Sequence, residues 1–522
     1  MNLYKLTLRS LTVAALMLTG TSCNDYFEVN TSPNLAASAP ANLLLTSAQA
    51  RLGFNVGGEV GRFTLLFAQQ VAAQNGRQTE AWDAYNLQST EVNNLFRDAL
   101  YAGVLADLEE IVRKDPQATH PAFFGIAKAM KAYTYSVATD LWGDVPFSEA
   151  LQGTANVQPK PDNSRDVYAG VIRLLDEAIA DLGRTSSLTA PTVADYVYGG
   201  NAQRWIRMAN TLKLRLYLHM LNANAVTPDV VNTFVRGLDA NTTTGFMTGV
   251  ADDFQQRFET TANRQNPTHQ FILTRTDDIA TSATLVNLMN SKADPRRAAY
   301  FTPAPFTPAL LATPPVSTTG GYIGLANGTG GNQVRNTLSR LHTFVRGALT
   351  TPAASLPAGP TLGVAQLAYD GTAPVQMLTF AEYNFIRAEL ALRYGGPGSA
   401  QDFFQRGITA SFTDAGLGTQ AAAYISRLGT LTGSPEQQLQ QLIEEKYIAN
   451  FMVPLEPWND WRRTGFPALS RIPVGSNPGN QGRVPRALPY PQQEVDANPN
   501  LQQRTNLSER PVFWDTRTTG PQ

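Results

Sequence analysis

The sequence predicts a mainly α-helical protein, in which a tetratricopeptide-like helical repeat scaffold supports an irregular half that is rich in loops. Three observations support this prediction. Apolar residues recur at the spacing of a helix face in several long segments. One pair of these segments is joined by a tight glycine-rich turn, and the segment 300–376 is dominated by proline, threonine, alanine and glycine.

The N-terminal residues 1–22 have the pattern of a bacterial signal peptide. Lys5 and Arg9 precede the apolar run 11–18, which is too short to span a bilayer, and small residues lead to Cys23. Cys23 is the only cysteine, so it cannot form an intramolecular disulfide. A cysteine at this place is typical of a lipobox, in which the thiol is acylated. We therefore predict a signal peptide at 1–22 and a lipidated tether at 23–40, with an unmodified cysteine after an ordinary signal peptide as the alternative.

The remainder of the chain, residues 41–522, is predicted to form a single domain. Of the 522 residues 43% are hydrophobic, which is enough for a large core. The net charge is −1 and no long basic run occurs, so the sequence gives no indication of nucleic-acid binding. The four histidines are far apart and have no metal-ligand spacing. We therefore predict neither a metal site nor a cofactor.

Helical periodicity is clearest in three segments of the N-terminal half, 123–141, 167–182 and 205–216. The second of them follows Asp162, Asn163 and Ser164, which are residue types that cap helices. In the third, the leucines at 212, 214, 216 and 218 also alternate as in a strand, so its assignment depends on its neighbours. Later segments with the same period are 380–394, 403–412 and 439–451.

The C-terminal half contains one pair of helices that resembles a tetratricopeptide unit. A predicted helix ending at Tyr394 is followed by a turn from Gly395 to Gly398 and by a second helix from Ala400. Such a pair cannot bury its apolar faces alone, so units of this kind stack on one another. In the segment 300–376 we expect a loop-rich insertion, where binding specificity can be set.

Residues 139–150 (TDLWGDVPFSEA) resemble the signature D-x-W-G-D-x-P-Y-S-E-A of the SusD/RagB outer-membrane lipoproteins, with Phe147 where tyrosine is usual. Other blocks are similar to the family and keep its order. They are the opening at 30–34, Trp205 with the run ANTLKLR at 209–215, and WNDWRRTG at 458–465. The resemblance therefore covers nearly the whole mature chain.

This resemblance implies a fold of four tetratricopeptide-like units and an attachment to the outer membrane through a lipid anchor, facing the cell surface. It implies a SusC-type TonB-dependent transporter as partner. The implied function is to bind a nutrient oligomer, a glycan first and a peptide second, and to deliver it to that transporter. The alternative is a membrane-anchored tetratricopeptide-like interaction scaffold that binds no nutrient.

The sequence does not indicate an enzyme. It has no G-x-S-x-G, no P-loop and no H-E-x-x-H motif, and the glycines at 328, 330 and 331 lack the strand and helix of a nucleotide loop. A pair of carboxylates for glycoside hydrolysis needs only closeness in space, so no motif would reveal it.

For the ligand site we predict Arg77, Trp82 and Tyr85, which lie in a polar stretch between two predicted helices. An exposed aromatic ring can stack on the apolar face of a sugar, and a guanidinium can hydrogen-bond its hydroxyls. The alternative is that Trp82 packs between helices. The loop-rich segment adds three further aromatic candidates, Phe306, Tyr322 and Tyr369. The signature residues Asp140, Trp142 and Asp144 are instead expected to hold a buried turn at a helix end.

Overall fold

The computed structural model describes residues 39–517, except 75–76, 115–118, 187–189, 277, 308, 313, 316–320, 331–336, 352–366, 473–481 and 505. Cys23, the predicted signal peptide and the tether up to residue 38 lie outside the described residues. Helices far exceed strands in the described part, so the mainly α-helical fold is confirmed. None of the helices described here has both the length and the apolar character needed to cross a membrane.

Nineteen α-helices are described in this part of the chain. In chain order they are α1 Ala41–Asn55, α2 Gly61–Phe67, α3 Arg77–Asp83, α4 Ala106–Lys114, α5 Pro121–Trp142, α6 Ser164–Leu182, α7 Ala202–Asn222, α8 Pro228–Asp239, α9 Pro267–Thr274, α10 Ala283–Ser291, α11 Arg297–Tyr300, α12 Ala309–Ala312, α13 Thr343–Arg346, α14 Phe380–Tyr394, α15 Ala400–Asp414, α16 Ala421–Leu428, α17 Pro435–Ala449, α18 Glu456–Thr464 and α19 Gln492–Ala497. Two π-helical segments, Val56–Val60 and Asn94–Leu105, lie between them.

The described strands are short and form three antiparallel pairs. They are β1 Val71–Ala73 with β5 Ile279–Thr281, β2 Val145–Pro146 with β3 Pro161–Asp162, and β4 Phe254–Gln256 with β6 Val375–Leu378. Each pair joins segments that are distant in sequence or closes a turn, so the strands tie the loops to the helical scaffold.

The leucine run that alternated like a strand lies entirely within α7. Leu212 and Leu216 pack in the main core, whereas Leu214 and Leu218 pack in a second cluster with α8 and α14. Because α7 is buried on both sides, apolar residues occur on both of its faces. This two-sided burial explains why the sequence pattern was ambiguous.

The predicted tetratricopeptide-like pair is present as α14 and α15. Gly395 ends α14 in the left-handed conformation, with φ 63°, which glycine adopts without strain. The two helices then pack closely because Gly407 has no side chain, and a Cβ there would stand 2.9 Å from the ring of Phe385. The helix α17 completes this cluster, with Leu442 and Ile443 fully buried.

The signature turn after α5 is buried, as predicted. The Trp142 side chain is fully buried, its indole Nε1 donates to the Pro489 carbonyl at 2.8 Å, and the ring of Phe96 meets it edge-on at 5.0 Å. The Asp140 carboxylate accepts hydrogen bonds from the Tyr168 hydroxyl at 2.6 Å and from other donors. Asp144 accepts from the backbone N–H of Ser164 at 2.8 Å, at the start of α6. These side chains therefore hold helix ends in place.

Ion pairs buried between helices join several of the sequence blocks described above. Arg463 of α18 binds Glu389 of α14 through two hydrogen bonds, and its second partner is Asp460 at 2.9 Å. Asp460 also binds Lys446 of α17 at 2.8 Å. Burial acts to raise the pKa of Glu389, yet Arg463 and Arg393 lower it to about 2. The carboxylate is therefore ionised in the core.

Candidate ligand-binding site

The predicted ligand residues Trp82 and Tyr85 do not face solvent. Trp82 is 3% exposed, and its ring lies 4.5 Å from that of Phe63, between α3 and α2. Tyr85 is fully buried, and its hydroxyl accepts a hydrogen bond from Gln69 Nε2 at 3.0 Å. The expectation that these two rings are exposed for stacking is therefore wrong, and the alternative packing of Trp82 holds. Arg77 begins α3, but its side chain lies outside the described residues.

The aromatic residues of the loop-rich segment are buried as well. Phe306 packs in a small cluster with Tyr369, whose hydroxyl is 2.6 Å from His342 Nδ1. Tyr322 is 2% exposed and lies beneath the guanidinium of Arg297, 5.1 Å from its ring centre. Because all three rings are buried, none of them offers an exposed face to a ligand in this structure. Phe306 and Tyr369 thus form a small core within this segment, whereas Tyr322 packs in the main core.

The structure does bring the two predicted regions together at Asp83. Its carboxylate accepts from the backbone N–H of Ala73 at 3.2 Å, from that of Gly328 at 2.8 Å and from Asn327 Nδ2 at 2.5 Å. Burial raises the pKa of Asp83 to about 7, although these three donors act to lower it. Asn327 also donates to the Val71 carbonyl at 2.9 Å. The α3 region and the loop around 327 therefore form one fixed surface.

The exposed aromatic residues lie elsewhere. Among the large hydrophobic side chains that the structure describes as exposed, the aromatic ones are Phe54 at 44% and Tyr196 at 52%. Both line an open cleft of about 470 Å³, together with the half-buried Phe258. The walls of the cleft are α1, the segment 193–200 before α7, and the loop 257–265 after β4. We call it the α1 cleft.

The position of Tyr196 is set by a buried polar clamp on α1. Gln49 Nε2 donates to Asp195 at 2.8 Å, and the Gln49 carbonyl oxygen accepts from the Tyr196 backbone N–H at 2.7 Å. Thr46 adds a hydrogen bond to the Ala194 carbonyl at 3.1 Å. The Asp195 carboxylate is itself fixed by the indole N–H of Trp205 at 2.7 Å. With its backbone held this firmly, Tyr196 presents its ring to solvent.

The opposite wall of the α1 cleft is the loop 257–265. The loop is closed by backbone hydrogen bonds between residues 259 and 264 and between 261 and 264, both 3.0 Å. At its end, Gln265 Nε2 donates to the Asp370 carbonyl at 3.0 Å. Next to the loop, Gln256 packs against Gly53, where a Cβ would stand 2.4 Å from that of Gln256. Polar side chains of the loop line the cleft, namely Arg257, Glu259, Asn263, Arg264 and Gln265.

The chemistry of the α1 cleft is suited to binding a sugar. Exposed rings can stack on pyranose faces, and the amide and guanidinium groups around them can hydrogen-bond hydroxyls. Among the described residues that line the cleft, Glu259 is the single carboxylate. Glycoside hydrolysis by the usual mechanisms needs a pair of carboxylates across the scissile bond, which these residues do not supply. Within the described residues no cluster of three or more potential metal ligands occurs.

Phe54 and Tyr196 were not among the residues predicted from the sequence to bind ligand. Tyr196 lies in a polar stretch between two helices, which is the same criterion that selected Trp82. Phe54 lies on α1 eight residues after Thr46 and four after Ala50, so all three lie on one helix face and line the cleft. The position of Phe54 opposite the 257–265 loop depends on tertiary packing, which a helical period does not show.

The comparisons with known proteins identify the family. The SusD-like family model, described as "Starch-binding associating with outer membrane", matches residues 33–491. The chain belongs to this SusD-like family, as the signature at 139–150 predicted. No curated protein matches the sequence.

Solved structures similar to this one cover almost the whole chain. A chitin-binding protein has a TM-score of 0.72 and 21% identity, over 92% of this chain and 100% of that one. A chitin-binding SusD homologue from Flavobacterium johnsoniae has a TM-score of 0.71 and 22% identity, over 92% and 98%. A SusD homologue from Bacteroides fragilis has a TM-score of 0.69 and 19% identity, over 92% and 100%. At these identities the likeness shows a shared fold.

The burial of Trp82 leads to a prediction about stability. Replacing Trp82 with alanine removes a large ring from between α2 and α3, and we expect the free energy of unfolding to fall by about 3–5 kcal/mol. Denaturant unfolding measures this change. Glycan binding per folded molecule should stay at the wild-type value. A variant that keeps its stability but loses binding would place Trp82 in the ligand site.

Proposed function

We propose that this protein captures a nutrient glycan in the α1 cleft at the cell surface and hands it to a SusC-type TonB-dependent transporter. The observation that carries the proposal is the exposure of Phe54 and Tyr196 in one cleft with polar side chains around them. Single exposed apolar side chains are common on protein surfaces, but exposed aromatic side chains grouped in one concave site are typical of a ligand-binding surface.

Membership of the SusD-like family supports a glycan as ligand, because the family is described as starch-binding. Two structurally similar proteins are described as chitin-binding, which supports the same class of ligand. The cleft is open, so it buries only part of a bound oligomer. We therefore propose a dissociation constant that is micromolar or weaker, so that the binding free energy is about −8 kcal/mol or weaker. Binding of this strength permits release to the transporter.

We further propose that Cys23 carries the lipid that anchors the protein to the outer membrane. The described chain begins at Ala39, whose carbonyl accepts a hydrogen bond from Lys114, and α1 follows directly. The α1 cleft is thus formed by the first helix after the tether. A fully extended segment from residue 23 to residue 39 would reach at most about 58 Å, at up to roughly 3.6 Å per residue. Asp25 and Glu28, just after Cys23, resemble the acidic signal that directs lipoproteins of this kind to the cell surface. This resemblance supports export to the surface.

The ligand site is tested by the double variant Phe54→Ala with Tyr196→Ala. Both side chains are exposed, so their removal should leave the melting temperature within a few degrees of the wild type. Loss of two stacking faces should weaken glycan binding at least tenfold, measured by affinity electrophoresis or calorimetry against an oligosaccharide panel.

The matched control is Leu273→Ala, because Leu273 is 51% exposed but is not among the residues that line the cleft. The control should bind like the wild type. Equal binding by the double variant and the control would show that the cleft is not the site.

The anchor is tested by Cys23→Ala. Without the thiol no acyl chain can be attached, so the protein should move from the membrane fraction to the soluble fraction while its fold and its glycan binding are retained. Fractionation and mass spectrometry of the N-terminal peptide measure both effects. Membrane retention at the wild-type level, with no acyl adduct on the wild-type peptide, would contradict the proposed anchor.

A further inference from the structure

The α1 cleft has an excess of positive charge. Of the described residues that line it, two are arginines, Arg257 and Arg264, and Glu259 is the single acid. Both arginines lie on the loop 257–265, and both are exposed. The whole chain has a net charge of −1, so this local excess does not reflect a generally basic protein.

Neither arginine is strongly neutralised by the protein. Arg264 lies 3.3 Å from Glu259, but the two side chains are 69% and 61% exposed. Exposed pairs of this kind contribute little to stability, because water and salt screen them, so Arg264 can exchange its partner for a ligand. Arg257 has no ion pair with the acids that the structure describes, and its backbone carbonyl accepts a hydrogen bond from Gln256 Nε2 at 3.0 Å.

Several arginines of the helical scaffold are arranged differently. Arg207 of α7 forms a two-point ion pair with Asp252, at 2.9 and 2.7 Å, and Arg204 lies 3.5 Å from the same carboxylate. Arg387 of α14 binds Asp239 in the same two-point manner, at 2.7 and 2.9 Å. These scaffold arginines are held by carboxylates within the protein, whereas the exposed guanidinium groups of Arg257 and Arg264 can be reached by an anionic group from outside.

From this we propose, resting on the proposed function, that the α1 cleft selects an acidic oligosaccharide, whose carboxylate or sulfate groups are bound by Arg257 and Arg264. A guanidinium is planar and can donate two parallel hydrogen bonds to a carboxylate or sulfate, which a neutral sugar cannot match. The rings of Phe54 and Tyr196 supply the apolar contact with the sugar rings. The base of the loop is fixed by Gln265 and by the Asn266 backbone N–H, which donates to the Gly371 carbonyl at 2.8 Å.

The test compares oligosaccharides of similar length and different charge on the full-length mature protein. The probes are oligogalacturonate for carboxylate, chondroitin sulfate oligomers for sulfate, and malto- and chito-oligosaccharides as neutral counterparts. Acidic probes should bind about tenfold more tightly than neutral ones at low salt, since hydrogen bonds to charged groups are the stronger ones. This advantage should shrink as salt is raised, because exposed charges are screened. The two acidic probes show which anionic group is preferred.

The variants Arg257→Gln and Arg264→Gln should each weaken acidic binding severalfold, and together they should remove the preference for acidic probes. Arg236→Gln is the matched control, because Arg236 is an exposed arginine of α8 outside the cleft. Equal binding of acidic and neutral probes, unchanged in the double variant, would overturn the acidic preference and leave glycan capture intact. If no probe of either charge binds, the proposed function fails and the preference fails with it.

Discussion

Glu456, at the start of α18, is fully buried and contacts two side chains of α7 at once. Its carboxylate lies 3.8 Å from Arg215 Nε and 3.5 Å from His219 Nε2. Burial alone would raise the pKa of Glu456, but Arg215 and His219 hold it well below its usual value. Arg215 also binds Glu382 of α14 through two hydrogen bonds of 2.7 and 2.6 Å. Removal of one partner would leave an uncompensated charge in the core, at a cost of roughly 3–5 kcal/mol, so these pairs constrain how α7, α14 and α18 pack.

The same helix α7 connects this core to the α1 cleft. Its C-terminal half carries Arg215 and His219, and its first turn carries Trp205, whose indole N–H holds the Asp195 carboxylate. Asp195 in turn binds Gln49 of α1, and this clamp presents Tyr196 to solvent. A rigid scaffold of buried ion pairs therefore positions an exposed aromatic side chain on a short segment. Such a separation lets the ligand-facing residues change without loss of the fold.

Much of the scaffold could be predicted from the sequence, because helices leave a local apolar period and the family blocks keep their order. The helix Phe380–Tyr394 was predicted at its observed bounds, and the signature turn was predicted to be buried. The ligand site was not predictable in this way. Trp82 is covered by Phe63, and Asp83 is bound by Gly328, through contacts between residues far apart in the sequence. Such contacts decide whether an aromatic side chain in a polar stretch is exposed, and the neighbouring sequence does not show them.

We propose that ligand binds between α1 and the loops that face it, and not on the surface around α3. Hydrogen–deuterium exchange of the protein, with and without a saturating oligosaccharide that it binds, distinguishes these two surfaces. Segments 46–54, 193–200 and 256–265 line or border the cleft. We expect slower exchange in these segments when ligand is added, with little change in 77–86 and 322–330. Protection confined to 77–86 and 322–330 would contradict it and place the site on the α3 surface.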